Sequence, residues 1–227
     1  QTWSVDYQTT GEPLLLLHGG LSCNEDWDFY VLPSVEDRFH VYAYDRTGHG
    51  RTGIREGYFH FYFQADEAIA YIDDVIKEPT HIVGWSHGGI ISLLIAIKRP
   101  DLVKSLVAIG TNYHWDTGGH FDSDAPITIP DEDKEKWIAR SPDPIEQMEK
   151  TIRFGFKIWS SEPNMSVEDL DHKLALQNFS RRLAEVRGRF RIAAIDDESF
   201  GPLENLRRHN FNIQHFHDIS SINQVEA

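Results

Sequence analysis

The sequence predicts an α/β fold in which a mostly parallel central sheet is covered by helices on both faces. Short aliphatic runs alternate along the first half of the chain with stretches whose apolar residues recur at helical spacing. Several of these runs end in glycine-containing turns. Strands that alternate with helices are joined by crossovers, which makes neighbouring strands parallel and buries both faces of the sheet.

Two strand candidates open the chain. Residues 1–7 have the pattern of the second strand of an N-terminal hairpin, and we expect its first strand upstream of the sequence. Residues 13–17 (PLLLL) predict a buried strand that ends in the turn HGG at residues 18–20. A glycine turn at this place can present one backbone N–H to an oxyanion, from Gly20 or Leu21.

A further strand and a crossover helix follow. Residues 40–44 alternate like a strand and run into the polar turn DRTGHG, and residues 63–77 predict an amphipathic helix. The apolar face of this helix carries Ala65, Ile69, Ile72 and Ile76, and the opposite face carries Asp66, Glu67, Asp73 and Asp74. We expect these carboxylates to form a solvated face and not a metal cluster.

The most informative segment is residues 82–96, where a β-branched strand end precedes Gly84-x-Ser86-x-Gly88 and an apolar helix follows. A serine on such a sharp turn has strained backbone, and the glycines beside it let strand and helix approach closely. The helix N-terminus points N–H groups at negative charge that develops beside the serine. Ser86 is therefore the candidate nucleophile, and the backbone N–H of His87 is the candidate second oxyanion donor.

These motifs, taken in order, resemble the α/β-hydrolase fold family over residues 2–112, with a further strand predicted at 105–110. The resemblance implies a nucleophile elbow, an oxyanion hole and acyl transfer without a metal or organic cofactor. A serine at the elbow disfavours epoxide and haloalkane hydrolysis, which use a carboxylate nucleophile. We expect His18, His49 and His87 to have structural roles.

The family resemblance also predicts the domain organisation. Residues 1–112 would form the first part of the hydrolase core, 113–182 an inserted cap, and 183–227 the rest of the core. The cap segment is rich in prolines and aromatics, and two or three of its aromatics would line the substrate pocket. The candidates are Trp115, Phe121, Trp137, Phe154, Phe156 and Trp159. His114, Asp116 and His120 lack the close spacing of a metal site.

The acid and base of the triad are expected after the cap. Residues 189–195 predict a strand that ends at three adjacent carboxylates, of which we favour Asp197 and keep Asp196 and Glu198 as alternatives. Residues 211–218 predict the last strand, with His217 as the base and His215 as the alternative. The family's usual glycines before the acid and before the base are missing here, and the final connection is short. We therefore expect that a terminus or an internal segment is absent.

The composition of the chain limits the kinds of molecule that we expect it to bind. The chain has 227 residues, 40% of them hydrophobic, and a formal net charge of −14 with a pI near 5.2. This charge repels nucleic acid phosphates and anionic membrane surfaces, so the expected partner is a small-molecule acyl substrate. Cys23 is the sole cysteine, which excludes an intramolecular disulfide and fits a cytoplasmic location. No signal peptide or membrane span is visible, and nothing in the sequence indicates an oligomeric state.

Two functions follow from these observations. The first is a serine hydrolase that cleaves a small, partly apolar carboxylic ester, or a related acyl compound, through an acyl-enzyme. The second is a ligand-binding protein that keeps the hydrolase fold and has lost efficient turnover, because a fold does not guarantee a function. The irregular last third of the chain motivates the second hypothesis.

Overall fold

A computed structural model describes residues 2–55, 60–117, 121–122, 124–166 and 169–170. Over these residues it contains one five-stranded sheet, ordered β1-β3-β2-β4-β5. The strands are β1 (Ser4–Asp6), β2 (Glu12–Leu17), β3 (Phe39–Tyr44), β4 (Thr80–Trp85) and β5 (Val103–Ile109). β1 lies antiparallel to β3, and every other pair is parallel. The predicted α/β class with a mostly parallel sheet is confirmed.

β2 lies at the centre of the sheet because its run of leucines is buried on both faces. Leu15 is opposite Tyr42 of β3 on one side and Ile82 of β4 on the other. Leu15 and Leu17 belong to a core cluster on one face of the sheet, and Leu14 and Leu16 belong to a second cluster on the other. A strand paired on both edges and covered on both faces reads as a continuous apolar run.

Helices cover both faces of this sheet. α1 (Asp26–Tyr30) and α2 (Leu32–Val35) connect β2 to β3, and α3 (Phe61–Tyr71) connects β3 to β4. The helix predicted over 63–77 is present, but its last turn, Ile72–Ile76, is a π-helix that ends at Lys77 in left-handed conformation. α4 (His87–Lys98) connects β4 to β5.

One expectation about α3 was wrong. Glu67 does not belong to a solvated carboxylate face, since its side chain is only 7% exposed. It accepts hydrogen bonds from the backbone N–H of Thr47 at 3.2 Å and from the Thr47 hydroxyl at 2.5 Å. Gln64, one turn earlier, is also buried. This end of the helix therefore turns polar groups towards the loop after β3.

After β5 the described residues include the 3₁₀ turn Trp115–Thr117 and the helices α5 (Asp131–Arg140) and α6 (Glu146–Trp159). Carboxylates attach this segment to the first part of the chain. Asp143 accepts the backbone N–H of Ile54 at 2.7 Å, and Glu162 accepts the N–H of Phe61 at 3.1 Å, at the start of α3. A carboxylate is favourable at a helix N-terminus, where N–H groups lack intrahelical partners.

Several of the predicted elements fall outside the residues that the structure describes. The first strand candidate forms β1 at the edge of the sheet. The strands predicted at 189–195 and 211–218 and the predicted hairpin partner of β1 lie outside the described residues. The division into core and cap stays a prediction. Within the part of the chain that the structure describes, no helix has the length and apolar character that a membrane span needs.

Replacing Gly88 by alanine should strongly destabilise the fold. A Cβ at this position would lie 2.0 Å from the carbonyl oxygen of Leu17, a backbone atom that cannot move away alone. We expect the free energy of unfolding to fall by about 3 kcal/mol, at the upper end of overpacking costs, as measured by urea denaturation.

Gly110→Ala is the matched control for this prediction. Gly110 has φ +55°, and no heavy atom lies within 4 Å of the place that the methyl group of an alanine would take. Alanine there meets backbone strain of about 1–2 kcal/mol but no clash. If Gly88→Ala costs no more than Gly110→Ala, close backbone packing is not the reason for the glycine at position 88.

Candidate active site

Ser86 occupies the turn between β4 and α4. Its backbone has φ +50° and ψ −115°, a combination that a residue with a Cβ rarely adopts. Such strain persists only where the surroundings hold it. Here the Ser86 N–H donates to the carbonyl oxygen of Ile109 at the end of β5, at 2.7 Å, and the Ser86 carbonyl accepts the N–H of Ile90 at 3.0 Å. Ser86 is thus held between the sheet and the first turn of α4.

The two glycines of the motif permit this turn. A Cβ at Gly84 would lie 2.4 Å from the carbonyl oxygen of Gly88, and one at Gly88 would lie 2.0 Å from that of Leu17. Both distances are far below van der Waals contact. β4, the start of α4 and the end of β2 therefore meet backbone to backbone, which brings Ser86 near the loop that follows Leu17.

The side chain of Arg46 holds the loop that follows Leu17 through hydrogen bonds to its backbone. This side chain is fully buried, and its guanidinium donates to the carbonyl oxygens of His18 and Gly19, the latter at 2.7 Å. In a trans peptide the C=O and the following N–H point in opposite directions. Because the Gly19 carbonyl points at Arg46, the N–H of Gly20 points away from it. Desolvation lowers the pKa of Arg46 to about 10, so the group stays charged at neutral pH.

Three buried histidines surround this loop. The His18 and His49 rings lie 5.3 Å apart, and those of His49 and His87 lie 6.3 Å apart. Burial lowers the pKa of all three well below the usual range, and the charge of Arg46 lowers it further. For His49 the pKa falls to about 3. All three are therefore neutral at physiological pH.

Hydrogen bonds occupy both ring nitrogens of His18 and of His87. The backbone N–H of Arg46 donates to His18 Nε2 at 3.2 Å, which leaves Nδ1–H to donate to Gly19 O at 2.8 Å. The indole N–H of Trp159 donates to His87 Nδ1 at 2.9 Å, so His87 Nε2–H donates to Gln64 Oε1 at 2.6 Å. Neither imidazole can take a proton from Ser86 without breaking these bonds, which agrees with the structural roles expected for them.

A cavity of about 620 Å³ adjoins the loop that follows β2 and Trp85, the last residue of β4. On the core side it is bordered by Gly20, Leu21 and Trp85, and on the other side by residues of the segment 126–156. The apolar residues of that segment that line it are Ile127, Ile129, Trp137, Met148, Ile152 and Phe156. Two of the six candidate aromatics, Trp137 and Phe156, thus line this cavity.

Cys23 also borders the cavity, but its surroundings disfavour the reactive thiolate. The side chain is buried, and its sulfur accepts a hydrogen bond from Arg140 Nη1 at 3.4 Å. Burial raises the pKa of the thiol to about 11, so the nucleophilic thiolate is scarce at neutral pH. Cys23 is therefore a packing residue beside the cavity.

The proposed acid and base lie outside the described residues. This holds for Asp197 and His217, for their alternatives Asp196, Glu198 and His215, and also for His120. Within the described ranges, no three His, Cys, Asp or Glu side chains form a group that could hold a metal ion.

Sequence reasoning missed three positions of the site. They are Arg46, Gln64, and Trp159 as a partner of His87. Arg46 was expected only as part of the polar turn after β3, with no role of its own. The polar run after β3 was the available signal for Arg46.

Comparison with known proteins identifies the family. A family model described as the alpha/beta hydrolase fold matches residues 12–190. The chain belongs to the α/β-hydrolase fold family. The match ends before Asp197 and His217, so it carries no information about the proposed acid and base.

Curated members of the family resemble the chain over part of their length. The (E)-2-((N-methylformamido)methylene)succinate hydrolase of Acinetobacter baylyi is 27% identical over 70% of this chain and 61% of its own. The human serine hydrolase BPHL is 30% identical over 63% of this chain and 50% of its own. The pimeloyl-[acyl-carrier protein] methyl ester esterase of Aeromonas hydrophila is 27% identical over 48% of this chain and 41% of its own. The chain thus spans about two fifths to three fifths of the length of these relatives.

A solved structure agrees with the hydrolase fold. The meta-cleavage product hydrolase of Pseudomonas fluorescens IP01, solved as a variant with acetates, superimposes with a TM-score of 0.55 over 84% of both chains at 21% identity. At this identity the likeness concerns the fold alone.

The buried neutral histidines of this α/β hydrolase should make its stability fall as the pH is lowered. A histidine whose pKa is lowered on folding binds its proton in the unfolded chain first, so stability is lost as pH falls through the unfolded pKa, about 6.5. For His49, with a folded pKa of about 3, the free energy of unfolding should fall by about 2 kcal/mol between pH 7 and pH 5. Urea denaturation at both pH values measures this change.

His49→Gln removes this titration and keeps a side chain that can hydrogen-bond. The variant's loss of stability between pH 7 and pH 5 should be smaller than that of the wild type by about 2 kcal/mol. An equal loss in both proteins would show that His49 is not held neutral in the folded state.

Proposed function

We propose that this chain is a serine hydrolase that cleaves a small, partly apolar carboxylic ester, or a related acyl compound. The observation that carries the proposal is the strained backbone of Ser86, held at the N-terminus of α4. Strain of this kind is concentrated at functional sites, where a fixed geometry is worth its energetic cost. A structural serine has no need of a positive φ at the junction of a buried strand and a buried helix.

The proposed reaction proceeds through an acyl-enzyme. His217 takes the proton of the Ser86 hydroxyl as Oγ attacks the carbonyl carbon of the substrate, and the carbonyl oxygen becomes an oxyanion. Collapse of this intermediate breaks the bond to the leaving alcohol, which receives the proton from His217. Water, deprotonated by His217, then attacks the acyl group and releases the acid and the free serine. Asp197 would hold the imidazole in the tautomer that this cycle requires.

The backbone N–H groups of Gly20 and His87 are proposed to stabilise the oxyanion. His87 is the first residue of α4, where N–H groups have no intrahelical acceptor and the helix dipole favours negative charge. The Gly20 N–H is directed by the bond between Arg46 and the Gly19 carbonyl. Donors fixed before the reaction lower the barrier because they need no reorganisation as charge develops.

The cavity supports a partly apolar substrate. Its wall from the segment 126–156 is mostly apolar once Pro126 and Pro130 are added to the aliphatic and aromatic residues named above. The charged residues at its border, Asp26, Asp133, Lys136 and Arg140, balance in sign. We propose that residues 113–182 form a cap over a core made of 1–112 and 183–227, and that this wall selects the acyl or alcohol group. The esterase among the relatives supports an ester as the bond cleaved.

A ligand-binding protein without efficient turnover is the second candidate. It is favoured by the missing glycines near Asp197 and His217 and by the short connection between the two. A short-chain p-nitrophenyl ester separates the two functions, because a hydrolase releases product continuously. A single burst, or no release of nitrophenol, would favour the binding protein.

Ser86→Ala tests the nucleophile. It should reduce hydrolysis of any accepted p-nitrophenyl ester by several orders of magnitude, since the residues of a triad act as a unit. The free energy of unfolding should not fall, because alanine leaves no core cavity. A fluorophosphonate should label the wild type at Ser86 and leave the variant unlabelled. Activity retained by the variant would refute the assignment.

His217→Ala tests the base and should be nearly as damaging to kcat as Ser86→Ala. Asp197→Asn should lower kcat less than His217→Ala does, but far more than Asp196→Asn or Glu198→Gln. In a three-residue turn only one carboxylate can face the imidazole Nδ1–H. His215→Ala is the control and should retain most of kcat. If His215→Ala loses most of kcat and His217→Ala stays active, the base is His215 and not His217.

A further inference from the structure

Trp159, the last residue of α6, contacts both segments that carry the proposed oxyanion donors. Its indole N–H donates to Nδ1 of His87, the residue after Ser86, at 2.9 Å. The same ring lies against the HGG turn, since a Cβ at Gly20 would be 2.2 Å from Trp159 Cζ2. A single side chain therefore touches the turn after β2 and the start of α4.

The contact with Gly20 is so close that any other residue there would have to displace the indole. The side chain of even an alanine would occupy the space of the indole ring. The role of Gly20 in this loop is thus partly to admit Trp159. Because the ring rests directly on the backbone, a displacement of the ring changes the room available to the Gly20 peptide.

The contact with His87 is part of a hydrogen-bonded chain across three helices. Trp159 of α6 donates to His87 of α4, and His87 Nε2–H donates to Gln64 of α3 at 2.6 Å. An indole N–H can only donate, so this chain has one direction and sets the tautomer of His87. The ring of Phe61, 4.3 Å from that of His87, packs against the same imidazole. The imidazole therefore has a fixed orientation, and it fixes the first residue of α4.

Aromatic rings in turn hold Trp159. The ring centroids of Phe121 and Phe156 lie 5.0 Å and 5.9 Å from that of Trp159, within the range of favourable aromatic pairs. A Cβ at Gly155 would lie 3.3 Å from Trp159 Cη2, so the indole also covers the preceding turn of its own helix. Its position follows from the packing of the segment after β5.

We propose that Trp159 is a positioning residue of the oxyanion hole, which sets the separation of the Gly20 and His87 N–H groups. This proposal rests on the serine hydrolase function proposed above. Oxyanion donors act on charge that exists in the transition state and hardly on the bound substrate. A change at Trp159 should therefore lower kcat and leave KM nearly unchanged, unlike a change in the cavity wall.

Trp159→Phe is the variant that tests it, because it keeps an aromatic ring over Gly20 and removes the N–H. We expect kcat for p-nitrophenyl butyrate to fall by about 10- to 100-fold, less than the loss of a whole oxyanion donor, with KM within about twofold. Trp115→Phe, the same change outside the cavity wall, should leave both constants unchanged. Ile127→Ala, in the wall and apart from the rings that hold Trp159, should change KM more than kcat.

A ¹⁵N NMR spectrum reports the tautomer of His87, which a merely structural role of Trp159 would not set. In the wild type, ¹⁵N-labelled His87 should be the Nε2–H tautomer over the whole range from pH 5 to pH 8. In Trp159→Phe the Nδ1–H form should become populated. If Trp159→Phe does not fold, the wild-type spectrum still decides, since a His87 protonated at Nδ1 excludes a bond from the indole and overturns the proposal.

The possible results separate this proposal from the function on which it rests. Loss of activity in Ser86→Ala together with a full kcat in Trp159→Phe overturns the positioning role alone. Equal losses in Trp159→Phe and Trp115→Phe also overturn it, because they indicate a general effect on this segment. Activity that survives Ser86→Ala overturns the serine mechanism itself, whatever Trp159→Phe does.

Discussion

The buried guanidinium of Arg46 organises the site, since it bonds the carbonyl oxygens of His18 and Gly19 directly below the HGG turn. Removing a charge from water is costly unless its hydrogen bonds are replaced, and here backbone carbonyls replace part of them. The turn in exchange acquires a definite orientation, with the Gly20 N–H directed away from the cation. The same charge helps to keep the neighbouring histidines neutral, which makes their imidazoles available as fixed donors and acceptors.

Close backbone packing provides the second constraint, and it acts on both sides of the site. Two non-glycine residues have positive φ angles here, Leu21 at +55° after the HGG turn and Ser86 at +50° at the elbow. Each conformation is unfavourable by itself. The short distances between Gly84, Gly88 and Leu17 leave β4 and α4 no alternative path, so the tertiary packing maintains the strain at Ser86.

The segment after β5 is tied to the core by contacts that differ in kind. The carboxylate of Asp143 binds the backbone N–H of Ile54, and that of Glu162 binds the N–H of Phe61 at the start of α3. Arg140 pairs with Glu25 at 2.6 Å beside the cavity. Trp159 adds an aromatic contact at the centre. The polar contacts bind backbone N–H groups and Glu25, whereas the indole contacts Gly20 and His87. The polar bonds attach the segment to the core, and in the role that we propose Trp159 would carry its position to the oxyanion donors.

The sequence by itself determined the α/β class, the strands of the parallel sheet and the place of Ser86, because these depend on patterns within a few residues. A leucine run buried on two faces and a serine between glycines are local signals of this kind. The tertiary structure alone decided what lies beneath and beside the site. Glu67 belongs by helical spacing to a solvated face, yet it turns inward because Thr47, twenty positions away, offers two donors. Arg46 and Trp159 likewise acquire their roles from partners 27 and 72 positions away, and no local pattern specifies such pairings.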